Sequence, residues 1–132
     1  MSARATILLV DDEPSIVKVV GKRLELDGYR VVTARDGEEA LREFRASSPQ
    51  LVILDLMLPK INGYEVCRRL KEDEATRGIP VLLFSAKAHE KDRALGMQSG
   101  ADEYLTKPFK AETLLERVRG LLAGEGSGTQ EA

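Results

Sequence analysis

Five short apolar runs, spaced by longer segments of helical periodicity, constrain this chain more than any other feature. The third run, Leu51 to Leu54 in LVILDLMLP, is the sharpest: four apolar residues in a row with no polar partner face. A strand half open to water would alternate, so an unbroken run implies burial on both faces. ATILLV (Ala5 to Val10), YRVVTA, IPVLLFS and EYLT supply the other strand candidates. A helical segment follows each one. Strand and helix in strict alternation predict an α/β fold, a parallel sheet covered by helices on both sides.

The helices are read from their caps and stripes. Pro14 fits the first turn of helix one, Ile16, Val19, Val20 and Leu24 form its apolar face, and Gly28 ends it. Asp36 caps helix two, with Ala40, Leu41 and Phe44 inward. Tyr64, Val66, Cys67 and Leu70 mark helix three. Leu114, Leu115, Val118, Leu121 and Leu122 give helix five the clearest stripe in the chain. Helix four is the weakest, with Ala94, Leu95 and Met97 as its inward candidates, and so should be the easiest element to move.

Length and charge narrow the class. A chain of 132 residues suits one domain with a real core, and 42% hydrophobic against 32% charged residues describes a globular chain. A formal net charge of −2 argues against direct nucleic-acid binding by this domain. The single cysteine, Cys67, excludes an internal disulfide framework and suits a reducing cytoplasm. Neither a signal peptide nor a membrane span is expected. The segment 1–123 is read as one domain, and 124–132, GEGSGTQEA, as a flexible tail or the start of a linker.

In a parallel α/β sheet the functional groups collect beyond the carboxyl ends of the strands. Those positions hold Asp11 and Asp12 after strand one, Asp55 after strand three, Ser85 after strand four and Lys107 just after strand five. Singly, each has a plain alternative: Asp12 and Glu13 favour a helix N-terminus, Ser85 suits a turn, and Lys107 suits a solvated surface. Asp55 resists such a reading because its strand is so apolar. Together, three carboxylates at one edge repel one another unless a cation joins them, and a hard oxygen set with an incomplete shell suits Mg²⁺. A lysine and a serine beside them complete a site for a phosphoryl group, with Asp55 as the nucleophile.

LLVDDE (Leu8 to Glu13), LVILDLMLPKINGYE (Leu51 to Glu65), FSA (Phe84 to Ala86) and GADEYLTKPF (Gly100 to Phe109) resemble the receiver domain of bacterial two-component response regulators, chemotaxis-regulator-like in form. The resemblance covers Thr6 to about Leu122. It implies a flavodoxin-like, doubly wound sheet of five parallel strands in the order 2-1-3-4-5 with five helices. It also implies a phosphorelay role, in which Asp55 takes a phosphoryl group from a sensor histidine kinase or phosphotransfer protein. By the same resemblance, Asp12, Asp55 and the backbone carbonyl of Met57 would ligate Mg²⁺, and Asp11 would act through a coordinated water. Lys107 would pair with the carboxylate and then the phosphoryl group. Ser85 would close onto a phosphoryl oxygen, Tyr104 would turn inward behind it, and Lys107–Pro108 would be a cis peptide.

Met57 and Lys87 occupy positions that tune phosphoryl lifetime in this family. An apolar Met57 is expected to obstruct the attacking water, whereas Lys87 has two readings, reaching either the phosphoryl group or a nearby acid. The face of helix four, strand five and helix five is the expected output surface, contacting a downstream protein or output domain. On it, Arg93, Asp102, Glu103 and Arg117 resemble part of a charge set used for phosphorylation-linked homodimers, with solvated helix charges as the alternative. Two rival readings compete: an aspartate-nucleophile phosphatase, which would want a second acid where Met57 stands, and a scaffold that is never phosphorylated. The reading preferred is a switch that catalyses its own phosphotransfer and is not a turnover enzyme. His89 reads as a surface residue, and Tyr29 and Tyr64 as partly buried structural aromatics.

Overall fold

A computed structural model describes residues 5–86 and 90–124. The chain alternates β1 (Thr6–Val10), α1 (Pro14–Leu26), β2 (Arg30–Ala34), α2 (Gly37–Ser47), β3 (Leu51–Asp55), α3 (Gly63–Glu72), β4 (Val81–Ser85), α4 (Glu90–Gln98), β5 (Glu103–Thr106) and α5 (Ala111–Leu122). All four strand pairings are parallel, and the order is β2-β1-β3-β4-β5, as the resemblance implied. No helix among the described residues is long and apolar enough to cross a membrane. Lys87, His89 and the segment 125–132, on which sequence expectations were placed, lie outside the described residues.

Strand parity divides the apolar residues between two cores. Leu51 and Ile53 join Ile7, Leu9, Leu82 and Phe84 on the side covered by α1 and α5. Val52 and Leu54 join Leu8, Val10, Leu83 and Tyr104 on the side covered by α2, α3 and α4. Every β3 residue from Leu51 to Leu54 is fully buried, which explains why that strand has no polar alternation. At roughly 1.5–3 kcal/mol for each large apolar side chain removed from water, β3 is a rigid mount for whatever follows it.

Local chemistry sets the helix ends. The Asp36 carboxylate accepts from the Glu39 amide at 2.8 Å and opens α2, and Asn62 does the same for α3 through the Glu65 amide at 3.0 Å. Gly28 follows α1 in the left-handed region, with φ of 97°. Two expected faces need correction. Val19 is 68% exposed, because α1 buries the narrower stripe of Val20, Gly21 and Leu24 with Ile16 half-buried. In α4, Ala94, Leu95 and Met97 are exposed, and the one buried residue is Gly96.

Gly63, the first residue of α3, sets the distance between that helix and the end of β3. Its amide donates to the Leu56 carbonyl at 3.0 Å. A Cβ there would stand 2.5 Å from the Asp55 carbonyl oxygen and 2.7 Å from Leu56 Cα, both backbone atoms that cannot turn aside. Gly63→Ala should therefore destabilise the domain by about 2 kcal/mol or more, through overpacking against the β3 terminus. Urea unfolding checks it: the midpoint falls at an unchanged slope.

Candidate functional site

The register of the sheet brings the strand-end residues together. Val10 pairs with Leu54, Asp55 with Phe84, and Ser85 with Thr106, so the residues that follow these pairs meet at one edge. Backbone bonds continue the alignment past the strands: the Asp11 amide donates to the Ala34 carbonyl at 3.1 Å, Leu56 to Phe84 at 3.0 Å and Lys107 to Ser85 at 2.7 Å. Asp11, Asp12, Asp55, Ser85 and Lys107 are thus neighbours in space although 96 positions separate the first from the last.

Three carboxylates form the centre. Asp11, Asp12 and Asp55 each offer an oxygen within 4.8 Å of the others, Asp11 and Asp55 buried and Asp12 exposed. Asp11 Oδ1 accepts from the Glu13 amide at 2.9 Å, and Asp55 Oδ1 from the Met57 amide at 3.2 Å. Lys107 Nζ lies 3.0 Å from Asp11 Oδ2, 3.6 Å from Asp55 Oδ2 and 3.8 Å from Glu13 Oε1. The same ammonium stands 4.7 Å from the centre of the Phe84 ring, a cation–π contact.

The chain matches the response regulator receiver domain model over residues 7–119. It belongs to that family. Relatives include the alkaline phosphatase synthesis transcriptional regulatory protein PhoP of Bacillus subtilis, 47% identical over 88% of this chain and 48% of that one. The DNA-binding dual master transcriptional regulator RpaA of Synechocystis is 48% identical with the same two coverages. The chain therefore spans about half the length of these curated relatives. Among solved structures, the BeF3-activated DrrB receiver domain superposes with a TM-score of 0.83 at 36% identity, covering 92% of this chain and 99% of that one. The chemotaxis response regulator CheY4 of Vibrio cholerae does so at 0.84 and 32%, covering 89% and 98%. This is a signalling domain of two-component systems.

The receiver's acid cluster has the electrostatics of an incomplete ion site. Burial and the neighbouring Asp11 charge push the Asp55 carboxyl up to about 6, and Lys107 offsets only part of this. Burial works against the Lys107 ammonium, but its hydrogen bond to Asp11 and the Asp55 charge outweigh that and raise its pKa. One lysine does not neutralise three carboxylates and Glu13. The donor set, all hard oxygens with one acid open to solvent, fits a divalent cation such as Mg²⁺.

Ser85 and Tyr104 lie behind this cluster. Ser85 is fully buried and Tyr104 is 2% exposed. Burial raises the Tyr104 phenol, and the neighbouring Ser85 hydroxyl acts the other way. Met57 stands at the rim, 56% exposed. The charges expected on a dimer face are drawn into contacts within the chain. Arg93 donates to the Tyr104 carbonyl at 3.3 Å, Asp102 pairs with Lys71 at 2.9 Å and accepts from the Val81 amide at 2.8 Å, and Arg117 reaches the buried Glu103 at 2.9 Å. The Lys107–Pro108 peptide is cis. Sequence reasoning missed three contributors. Glu13 was visible as the third acid of VDDE, and Gly96 as a glycine inside a helix, whereas no local signal marked the Phe84 ring beneath Lys107.

A carboxyl that titrates at about 6 when folded and at 3.8 otherwise binds its proton more readily in the native state. Its contribution to stability is complete below the lower value and is lost as pH rises through the upper one. Without divalent ions, the stability of the wild type relative to Asp55→Asn should fall by on the order of 1–2 kcal/mol between pH 4 and 7. Parallel urea-derived profiles for the two proteins would contradict this.

Proposed function

We propose that this receiver is a phosphorylatable switch in which Asp55 accepts a phosphoryl group from a phosphohistidine of a sensor histidine kinase or phosphotransfer protein. The observation that carries the reading is the buried Asp55 carboxylate, fixed at the end of β3 with Lys107 3.6 Å away and Asp11 and Asp12 beside it. In the transfer, an Asp55 carboxylate oxygen forms the new bond to phosphorus. The phosphorus–nitrogen bond breaks, and its electron pair leaves with the donor imidazole. The product is an aspartyl phosphate, which makes the chain a phosphoprotein.

The residues divide the work by position. The Met57 amide, 3.2 Å from Asp55 Oδ1, orients the nucleophile, leaving the other oxygen toward Lys107. Lys107 supplies positive charge to the incoming phosphoryl oxygens, and the Ser85 hydroxyl a hydrogen bond. Asp11, Asp12 and Asp55, with the Met57 carbonyl, would hold Mg²⁺, Asp11 through a coordinated water. The metal supplies neutralisation of charge that would otherwise build up among the acids. Phosphoryl transfer is dominated by positioning and charge balance, which is what this edge provides.

Signalling then runs through α4, β5 and α5, with Tyr104 as the switch residue. Of the charges expected on that face, Arg93 is exposed and Arg117 partly so, whereas Glu103 is buried beneath Arg117 and Asp102 is tied to Lys71. Since relatives of about twice the length are transcriptional regulators, the downstream partner is an output domain or a separate protein. This domain itself, with its net charge of −2, does not engage nucleic acid directly. A phosphorylation-linked homodimer and a cytoplasmic location complete the reading, with 1–123 as the receiver and 124–132 as tail or linker. A solved neighbour activated with BeF3 supports the use of that mimic here.

Incubation with acetyl phosphate and Mg²⁺ should add one phosphoryl mass to the wild type and none to Asp55→Ala. An unmodified wild type, beside a control receiver that reacts, would sink the proposal. Met57 is exposed and its amide bonds Asp55 Oδ1, which supports the expectation that its side chain obstructs the water that attacks the acyl phosphate, so decay should be slow. Met57→Asn should speed decay on the order of tenfold, about 1.4 kcal/mol of barrier, measured by loss of the added mass after desalting.

A further inference from the structure

Helix α4 packs against the sheet with a glycine as its single buried residue. A helix interior disfavours glycine, and alanine is the better helix former at any position with room for a methyl group. At Gly96 there is no such room. A Cβ there would stand 2.9 Å from Tyr104 Cδ2, 3.1 Å from Tyr104 Cε2 and 3.1 Å from Leu83 Cδ1. The Leu83 methyl ends a rotatable side chain and can give way. The two Tyr104 atoms are the edge of a rigid ring that is 2% exposed.

Tyr104 is fastened from several directions. Its backbone is paired with Leu83 in the sheet. Arg93, three residues before Gly96 on α4, donates to the Tyr104 carbonyl at 3.3 Å and holds its guanidinium carbon 5.7 Å from the ring centre. Ser85, two residues beyond Leu83 at the end of β4, lies on the same side of the sheet as the ring. The Tyr64 hydroxyl donates to the Asp92 carbonyl at 3.1 Å, which ties the first turn of α4 to α3 and resists its retreat from the ring.

We infer that Gly96 is a positioning residue: its missing side chain makes the slot that seats the Tyr104 ring, and the seated ring backs the Ser85 hydroxyl at the strand edge that holds Asp55. The slot stands on packing alone. Only the use made of Ser85 rests on the phosphoacceptor reading.

A stability cycle of wild type, Gly96→Ala, Tyr104→Val and the double variant tests the slot. With the ring present, Gly96→Ala should lower the thermal midpoint by at least about 5 °C. With the ring removed, the same change should raise it, because only helix propensity then remains. A double variant that folds where Gly96→Ala does not would equally support the slot. If Gly96→Ala moves the midpoint in the same direction in both backgrounds, no slot exists and the inference falls.

The link to Ser85 is read from initial rates of phosphoryl uptake from acetyl phosphate with Mg²⁺. Ser85→Ala should slow the wild type about fivefold or more and slow Gly96→Ala no further, since Gly96→Ala has already displaced the hydroxyl. Equal slowing in both proteins would overturn the link. A wild type that takes up no phosphoryl group refutes the phosphoacceptor reading instead, and the stability cycle still decides the slot.

Discussion

The structure depends on holding a carboxylate where it is not comfortable. Asp55 is 5% exposed, beside a second buried carboxylate, and its own charge is disfavoured enough to lift its pKa to about 6. Such a group stays in place only if the scaffold is stiffer than the repulsion. β3 meets that condition by burying Leu51, Val52, Ile53 and Leu54 completely between two cores. Gly63 then brings α3 into contact with the carbonyl of Asp55 itself, and the Met57 amide fixes one of its carboxylate oxygens. Stability is spent on position.

Strand parity separates the two groups that would answer a charge on Asp55. Tyr104 lies in the core under α2, α3 and α4, whereas Leu105 lies in the core under α1 and α5. Lys107 is two residues beyond Leu105, and its ammonium sits over Phe84, another member of that second core. Ser85, two residues beyond Leu83, belongs with Tyr104 on the first side. The acid cluster sits at the strand ends, where neither side is closed off. On the proposed reading, a phosphoryl group there draws Lys107 from one side and Ser85 from the other. The chemistry and its consequence are therefore physically adjacent, with one strand edge between them.

Much of this was legible in the sequence. Runs such as ILLV and LVIL can only be strands buried on both faces, and the residues after them had to lie at one edge of a parallel sheet. The strand order was another matter: no periodicity distinguishes 2-1-3-4-5 from its alternatives, and it came from the resemblance alone. Helix faces were less secure. Val19 belongs to the apolar stripe by hydropathy and is exposed, because α1 approaches the sheet through the small Gly21 beside Val20 and Leu24. The α4 reading failed for a related reason. Burial was sought in the apolar residues Ala94, Leu95 and Met97, but close approach to a ring is made by the residue with no side chain at all. The pairings of Asp102 with Lys71 and of Glu103 with Arg117 follow from tertiary distance, which no local pattern encodes.

On the proposed reading, the weak cover of α4 suits it to carry a signal. An element buried by several leucines, as α5 is, would need many kcal/mol to move, and a single phosphoryl group does not supply that. Shifting a two-state element from 1:99 to 99:1 takes about 5.5 kcal/mol of differential interaction. α4 leaves Leu95 44% and Met97 37% exposed and is held by a few polar bonds, among them Tyr64 to Asp92 and Arg93 to Tyr104. At roughly 0.5–1.5 kcal/mol for each such bond, its restraint is commensurate with what one charged group can offset. A larger apolar residue at position 96 would anchor α4 through its own burial only by taking the place of the ring. The glycine keeps the helix both lightly held and in contact with Tyr104, whose ring lies on the same side of the sheet as Ser85.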